Sequence, residues 1–153
     1  MNARVDPPGA AAPQELVITR VYDAPRRLVF AAWSTAQNVM RWWGPNGFSV
    51  PEATVDFCAG GVFDLCMRGP DGTDYWMRGA FREIVAPERI IFTSIIDAQA
   101  RQEIATTVTF AEEGGKTTIT VRQTVPVNPF MARGQRQGWT ESLERLAARL
   151  AMA

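Results

Sequence analysis

Residues Val62–Phe81 read VFDLCMRGPDGTDYWMRGAF. Phe63, Leu65 and Met67 alternate with Asp64 and Arg68, which is the period-two pattern of a half-buried strand. Gly69-Pro70-Asp71-Gly72 supplies turn chemistry, and Tyr75, Met77, Gly79 and Phe81 then fall on one face of a second strand. Two strands joined by so short a turn must run antiparallel. The same pattern continues in both directions. Toward the C-terminus, Ala86-Pro-Glu-Arg89 turns the chain into a strand over Ile90–Ile96, and a loop over 97–101 leads to another over Glu103–Phe110. Glu112-Glu113-Gly114-Gly115 closes a hairpin with Lys116–Val125. Toward the N-terminus, Ser49 to about Phe57 pairs back through Gly60-Gly61, and the β-branched run Glu15–Tyr22 begins the set.

Helical spacing occurs in two places. Asp23-Ala24-Pro25 offers a cap and a first-turn proline. Leu28, Val29, Ala32 and Trp33 follow at helical intervals to about Ser34, and a second short helix spans Ala36–Trp42, ended by Gly44-Pro45. Beyond Pro126, a long helix covers about Asn128 to Ala151, with Trp139, Leu143, Leu146 and Leu150 on one stripe and Arg136, Glu144, Arg145 and Arg149 mostly outside it. No strand is followed by a crossover helix, so a parallel sheet does not fit. An antiparallel sheet with one apolar face needs cover, and the last helix is the element long enough to provide it. The expected fold is α+β: a seven-stranded antiparallel sheet curved around a long C-terminal helix, with two short helices between strands one and two.

Arg41-Trp42-Trp43-Gly44-Pro45-Asn46-Gly47-Phe48 adds a functional hint. Adjacent side chains on a regular element point in different directions, so paired tryptophans before a turn suggest aromatic surface at the edge of a cavity. Gly79 in a strand, and Gly134 and Gly138 in the last helix, read equally as tight backbone contact or as space left for a ligand. The pool of cavity residues is Trp33, Trp42, Trp43, Phe48, Phe63, Met67, Tyr75, Met77, Phe92 and Trp139. Each fits ordinary core as well, since large aromatics are highly buried on average.

Composition narrows the chemistry. A chain of 153 residues suits one domain. Sixteen basic residues balance sixteen acidic ones, leaving no field to attract nucleic acid. No stretch approaches the ~18 apolar residues of a membrane span, and the N-terminus lacks a secretory pattern, so a cytoplasmic protein is expected. There is no histidine, which removes histidine-activated nucleophiles and histidine metal sites. The single lysine, Lys116, lies in a turn, unlike a desolvated Schiff-base lysine. Cys58 and Cys66 match no zinc or redox motif and read as reduced thiols. No metal and no cofactor are expected. Catalysis would fall to Tyr75 or Glu83, the latter placed on the same face as Phe81; Asp97 and Glu103 are further inward-facing candidates, and Arg41 is a candidate anion clamp.

The ordered set of motifs resembles the Activator of Hsp90 ATPase homologue-like family of the START-like (SRPBCC) superfamily. It comprises Tyr22-Asp-Ala-Pro25 with Val29-Phe30, Trp42-Trp-Gly-Pro45 with Gly47-Phe48, Asp56 with Gly60-Gly61, and Gly79-Ala-Phe81-Arg-Glu-Ile84 with Pro87-Glu-Arg-Ile90 and Phe92-Thr93. Val108-Thr-Phe110 with Thr117 and Ile119-Thr120, and Gly138-Trp139 with Leu143 and Leu146, complete it. The chain departs from the pattern in carrying Phe57-Cys58-Ala59 where an arginine is usual, and in lacking a histidine near Gly138. The resemblance implies the helix-grip fold over 15–151, with a hydrophobic cavity between sheet and C-terminal helix; the proline- and alanine-rich stretch at 1–14 reads as a disordered tail. It implies a binder of a small hydrophobic or aromatic molecule. The alternatives are a polyketide cyclase/dehydratase-like enzyme and an Hsp90 co-chaperone-like ATPase activator. The expected partners are a small hydrophobic molecule, with no nucleic acid or membrane, a second copy of the chain across exposed strand edges and the outward-facing Trp76, and a chaperone.

Overall fold

The computed structural model describes residues 14–96, 103–125 and 129–152. The expected tail and the loop at 97–101 lie outside the described residues, apart from Gln14, which begins the first strand. The elements run β1 (Gln14–Tyr22), α1 (Arg26–Ala31), α2 (Ala36–Val39), β2 (Ser49–Val55), β3 (Val62–Arg68), β4 (Asp74–Val85), β5 (Arg89–Ile96), β6 (Ile104–Glu113), β7 (Lys116–Val125) and α3 (Pro129–Ala151). They form the helix-grip α+β arrangement expected from the sequence. The seven strands make one antiparallel sheet in the order β1-β7-β6-β5-β4-β3-β2. Every neighbour is a hairpin partner except β1, which crosses the short helices and the other strands to pair with β7. The edges are therefore β1 and β2.

Several element ends differ from the sequence reading for local reasons. β6 continues past Phe110 to Glu113 because Glu113 pairs with Lys116, leaving a two-residue turn of Gly114 and Gly115 with φ of 62° and 80°. α2 stops at Val39 because Trp42 and Trp43 both donate backbone N–H groups to the Val39 carbonyl, tightening the chain into a turn. β2 stops at Val55 because the Asp56 N–H reaches the Val62 carbonyl and a turn over Asp56–Gly61 follows. α1 closes at Ala31, and Thr35 caps α2 by accepting from the Asn38 N–H at 3.1 Å.

The concave face carries the core. Phe63, Leu65 and Met67 of β3, Met77 and Phe81 of β4, Ile90 and Phe92 of β5, Val108 and Phe110 of β6, and Ile119 and Val121 of β7 are all buried. α3 lies over the β1 and β7 side, contributing Trp139, Leu143 and Leu146, and the Tyr22 hydroxyl donates to the Leu143 carbonyl at 2.9 Å. Burial raises the Tyr22 phenol far above its ordinary value, so this tie persists through the neutral range. Arg20 and Glu144 pair alongside it. On the convex face, Trp76 is half-buried against its cross-strand partner Cys66, with the Arg78 guanidinium 5.7 Å from its ring. Cys66 is buried and Cys58 exposed, and both are free thiols.

The glycines separate two roles that the sequence left open. A Cβ on Gly79 would stand 2.1 Å from the Thr93 carbonyl oxygen and 2.4 Å from Phe63 Cζ, so this position is a close approach already filled by a ring. A Cβ on Gly134 or Gly138 would meet nothing within 4 Å. Gly79→Ala is therefore expected to cost about 1–3 kcal/mol or more in urea unfolding, because a backbone carbonyl must shift. Gly134→Ala, in an exposed helical position, should instead stabilise by about 0.5–1 kcal/mol.

Candidate functional site

The concave face holds a cavity of about 30 Å³. Its roof is the α1–α2 segment, through Trp33, Val39 and Trp43. Its floor is the sheet: Val55 of β2, Phe63 and Leu65 of β3, Phe81 of β4 and Phe92 of β5. The sequence reading placed such a space under the C-terminal helix, but no α3 residue lines this one. Trp139 instead stacks on Trp33, with ring centroids 6.0 Å apart and planes 21° from parallel, and so backs the roof rather than forming it. The volume suits one or two water molecules, so the interior is nearly filled.

Trp33 organises the roof. Its ring packs edge-on against Trp42 at 4.8 Å, Trp43 at 5.8 Å and Phe110 at 6.0 Å. The paired tryptophans are both buried, with their rings 5.2 Å apart. Trp42 turns into the core, 1 % exposed, and its indole N–H donates to the Ala32 carbonyl at 3.0 Å. Trp43 reaches over the cavity and meets Trp139 at 5.3 Å. The Trp33 indole N–H is buried and has no hydrogen-bond partner among the described residues.

The turn behind the tryptophans is fastened to α3 by polar groups. Arg145 Nη1 donates to the carbonyls of Trp43, Gly44 and Pro45 at 3.4, 2.9 and 3.0 Å. The Gly44 N–H donates to Ser142 Oγ at 3.1 Å, and the Asn46 N–H to Glu141 Oε1 at 2.8 Å. Gly44 and Gly47 adopt φ of 105° and 86°, which the turn requires. The clamp on this segment is thus Arg145 rather than Arg41, which is exposed. It grips the chain itself.

Among the residues singled out from sequence, Trp33, Trp43, Phe63 and Phe92 line the cavity, while Trp42, Met67, Met77 and Trp139 are buried around it. Phe48 and Tyr75 are half-buried and face each other at 6.1 Å beyond it. Val39, Val55, Leu65 and Phe81 also line it and were not singled out; their signal was the same apolar alternation as the rest of the core. Glu83 is a correction. A bulge between Phe81 and Glu83 places Arg82 as an extra residue, so Glu83 pairs across from Ile91 on the convex face and Ile84 takes the inward position. Glu83 accepts from Arg89 Nε at 2.6 Å. Glu103 is exposed and lies 3.8 Å from Arg82, while Asp97 lies outside the described residues. Among the described residues no group of three or more His, Cys, Asp or Glu side chains could hold a metal ion, and no helix is long and apolar enough to cross a membrane.

Comparison with known proteins agrees with this architecture. The family model described as Activator of Hsp90 ATPase homolog 1-like protein matches residues 23–151. The AHSA1 protein of Silicibacter pomeroyi is 26% identical, with a TM-score of 0.80 over 91% of this chain and 99% of that one. A protein of Chromobacterium violaceum is 27% identical, with a TM-score of 0.76 over 89% and 96%. A protein of Arthrobacter aurescens is 26% identical, with a TM-score of 0.80 over 91% and 87%. No curated protein matches the chain.

Removing the clamp should loosen the roof. Arg145→Met is expected to lower stability by about 1.5–3 kcal/mol in denaturant unfolding, from lost charge-assisted bonds to carbonyls. The Asn46 N–H, and then Gln137, hold the Glu141 carboxyl below its ordinary 4.5. A carboxyl lowered by folding contributes stability above its unfolded value and loses it as pH falls through the folded one. Glu141→Gln should therefore flatten part of the decline in melting temperature expected on acidification below pH 4.5.

Proposed function

Because the chain belongs to the Activator of Hsp90 ATPase homolog 1-like family, we propose that it is a binding domain for a small hydrophobic or aromatic molecule held on the concave face of the sheet. The observation that carries this reading is the cavity walled wholly by apolar and aromatic side chains, with Trp33 and Trp43 across from Phe63, Phe81 and Phe92. A ligand of ten or more heavy atoms is larger than the present space of about 30 Å³, so this reading requires the α1–α2 roof to move away from β2–β5. That roof is the part suited to shift: it rests on ring contacts and on the polar ties from α3 to the Trp43–Asn46 backbone.

A cyclase/dehydratase reading has weaker support. None of the side chains lining the cavity is an acid, a base or a tyrosine, and Glu83 is on the opposite face with Arg89. An Hsp90-directed activity rests on the family description alone.

The test is a thermal-shift and tryptophan-emission screen against neutral aromatics of one to three rings. A ligand at a hundred times its dissociation constant should stabilise the protein by about 2.7 kcal/mol and change Trp33 and Trp43 emission saturably. Val55→Phe, a ring added from edge strand β2, should fill the space and weaken binding about tenfold or more. A flat response across the whole panel removes the reading.

A further inference from the structure

The α1–α2 roof is fastened at both ends, and the two fastenings differ in how hard they are to part. At the first end, α1 packs on β6 and β7, inside the sheet. There Thr117, which is fully buried, donates its Oγ1 hydrogen to the Ala24 carbonyl at 2.7 Å, and the Arg26 N–H donates to Glu112 Oε1 at 2.9 Å. Parting this end would leave a hydroxyl and a carbonyl buried and unsatisfied. At the other end, α2 packs on β2, an edge strand, and the Trp43–Gly47 turn is held by Glu141, Ser142 and Arg145 of α3. Arg145 Nη1 carries two hydrogens and faces three carbonyls, so its hold on the Trp43 carbonyl, at 3.4 Å, is the weakest of the three. Pro45 is half-buried and Asn46 and Gly47 are exposed, so solvent reaches this turn and can take over the polar groups released there.

The cavity lining points to the same end. Val55 of β2 is its one half-buried member, the others being buried, and Trp43 reaches over the same space from the turn. The solvent side of the cavity is therefore where the α2 end of the roof meets the edge of the sheet. Gly44 and Gly47 bracket the turn with φ of 105° and 86°, giving it a permissive residue at each end, and Phe48 beyond it packs against Tyr75 at 6.1 Å.

We propose that the Trp43–Gly47 turn is a flap over the cavity, that a ligand enters between α2 and β2 when the flap swings out, and that Arg145 is the positioning residue that sets how often it does so. This rests on the ligand-binding reading above and names the part of the roof that moves. A space of about 30 Å³ is too small for an aromatic ligand, so binding draws on the molecules whose flap is out. The apparent dissociation constant is then the intrinsic one divided by their fraction. Weakening the tie enlarges that fraction. Loss of Arg145 should lower stability and strengthen binding together, a pairing that a merely structural role does not produce.

The experiment uses the full chain, its Arg145→Met variant and, at the opposite end of the roof, Thr117→Val. Amide hydrogen exchange is followed without ligand. N-phenyl-1-naphthylamine, a neutral aromatic probe, is then titrated and rapidly mixed while its fluorescence is read. In the unaltered protein the Gly44 and Asn46 amides should exchange about tenfold or more faster than those of Leu65 and Phe92 on the cavity floor. Arg145→Met should speed Gly44 and Asn46 further and bind the probe about tenfold tighter, with faster association. Thr117→Val should leave probe affinity as it is. Unchanged or weaker probe binding by Arg145→Met overturns the proposal, and so does an equal gain in Thr117→Val, which would mark general loosening. Gly44 and Asn46 amides no faster than those of Leu65 and Phe92 also overturn it. That result needs no ligand, and the binding reading then stands or falls by its own screen. Absence of probe binding to all three proteins overturns the flap as a route for ligand, whatever the exchange shows. If Arg145→Met does not fold, Ser142→Ala, which removes the acceptor for the Gly44 N–H, takes its place with the same expectations.

Discussion

The indole of Trp33 is the contact on which the interior depends. It meets Trp42, Trp43, Phe110 and Trp139, and so joins the α1–α2 roof to a central strand and to the C-terminal helix. Aromatic pairs in these geometries contribute about 0.5–1.5 kcal/mol each beyond the area they bury. Several acting on one ring hold it where a flexible aliphatic side chain would not stay. The same packing strands its N–H in an apolar setting. The rigidity of this ring and its unpartnered N–H thus have a single origin.

α3 fastens the fold by polar means as much as by its apolar stripe. Glu141, Ser142 and Arg145 hold the turn after the tryptophans, while Glu144 pairs with Arg20 and the Leu143 carbonyl accepts from Tyr22. Within one turn and a half, the helix ties the first strand on one side and the cavity roof on the other. Three backbone carbonyls gathered on one guanidinium nitrogen also satisfy groups of an irregular turn that has no ladder to join. The Gly44-Pro45-Asn46-Gly47 turn therefore serves as the join between roof and helix, as well as the end of an aromatic edge.

The strands were legible because their side chains alternate. Phe63, Leu65 and Met67 face inward, as do Val108 and Phe110, and the turns between strands carry Gly, Pro and Asp where the backbone needs them. The fold class and its two short helices were readable on that basis. The reading failed where alternation is interrupted. Nothing in Phe81-Arg82-Glu83-Ile84 announces a bulge, and one extra residue exchanges the faces of everything after it. The candidate site was half readable for a related reason. Trp33, Trp43, Phe63 and Phe92 stand out as aromatics, whereas Val39, Val55 and Leu65 resemble any core residue and line the cavity only because of where the roof lands.

By itself the sequence determined the local pattern: which segments extend, which coil, where the chain turns, and that none of these 153 residues is a histidine. These follow from periodicity and residue type, which act over a few positions. Tertiary structure alone decided three things: that Gly79 is covered by Phe63 rather than left empty, that Arg145 grips the tryptophan turn, and that Trp33 Nε1 and Gln123 Oε1 find no hydrogen-bond partner among the described residues. Each depends on residues brought together from distant parts of the chain, and whether a buried group finds a partner is a property of the packed interior, which no local pattern encodes.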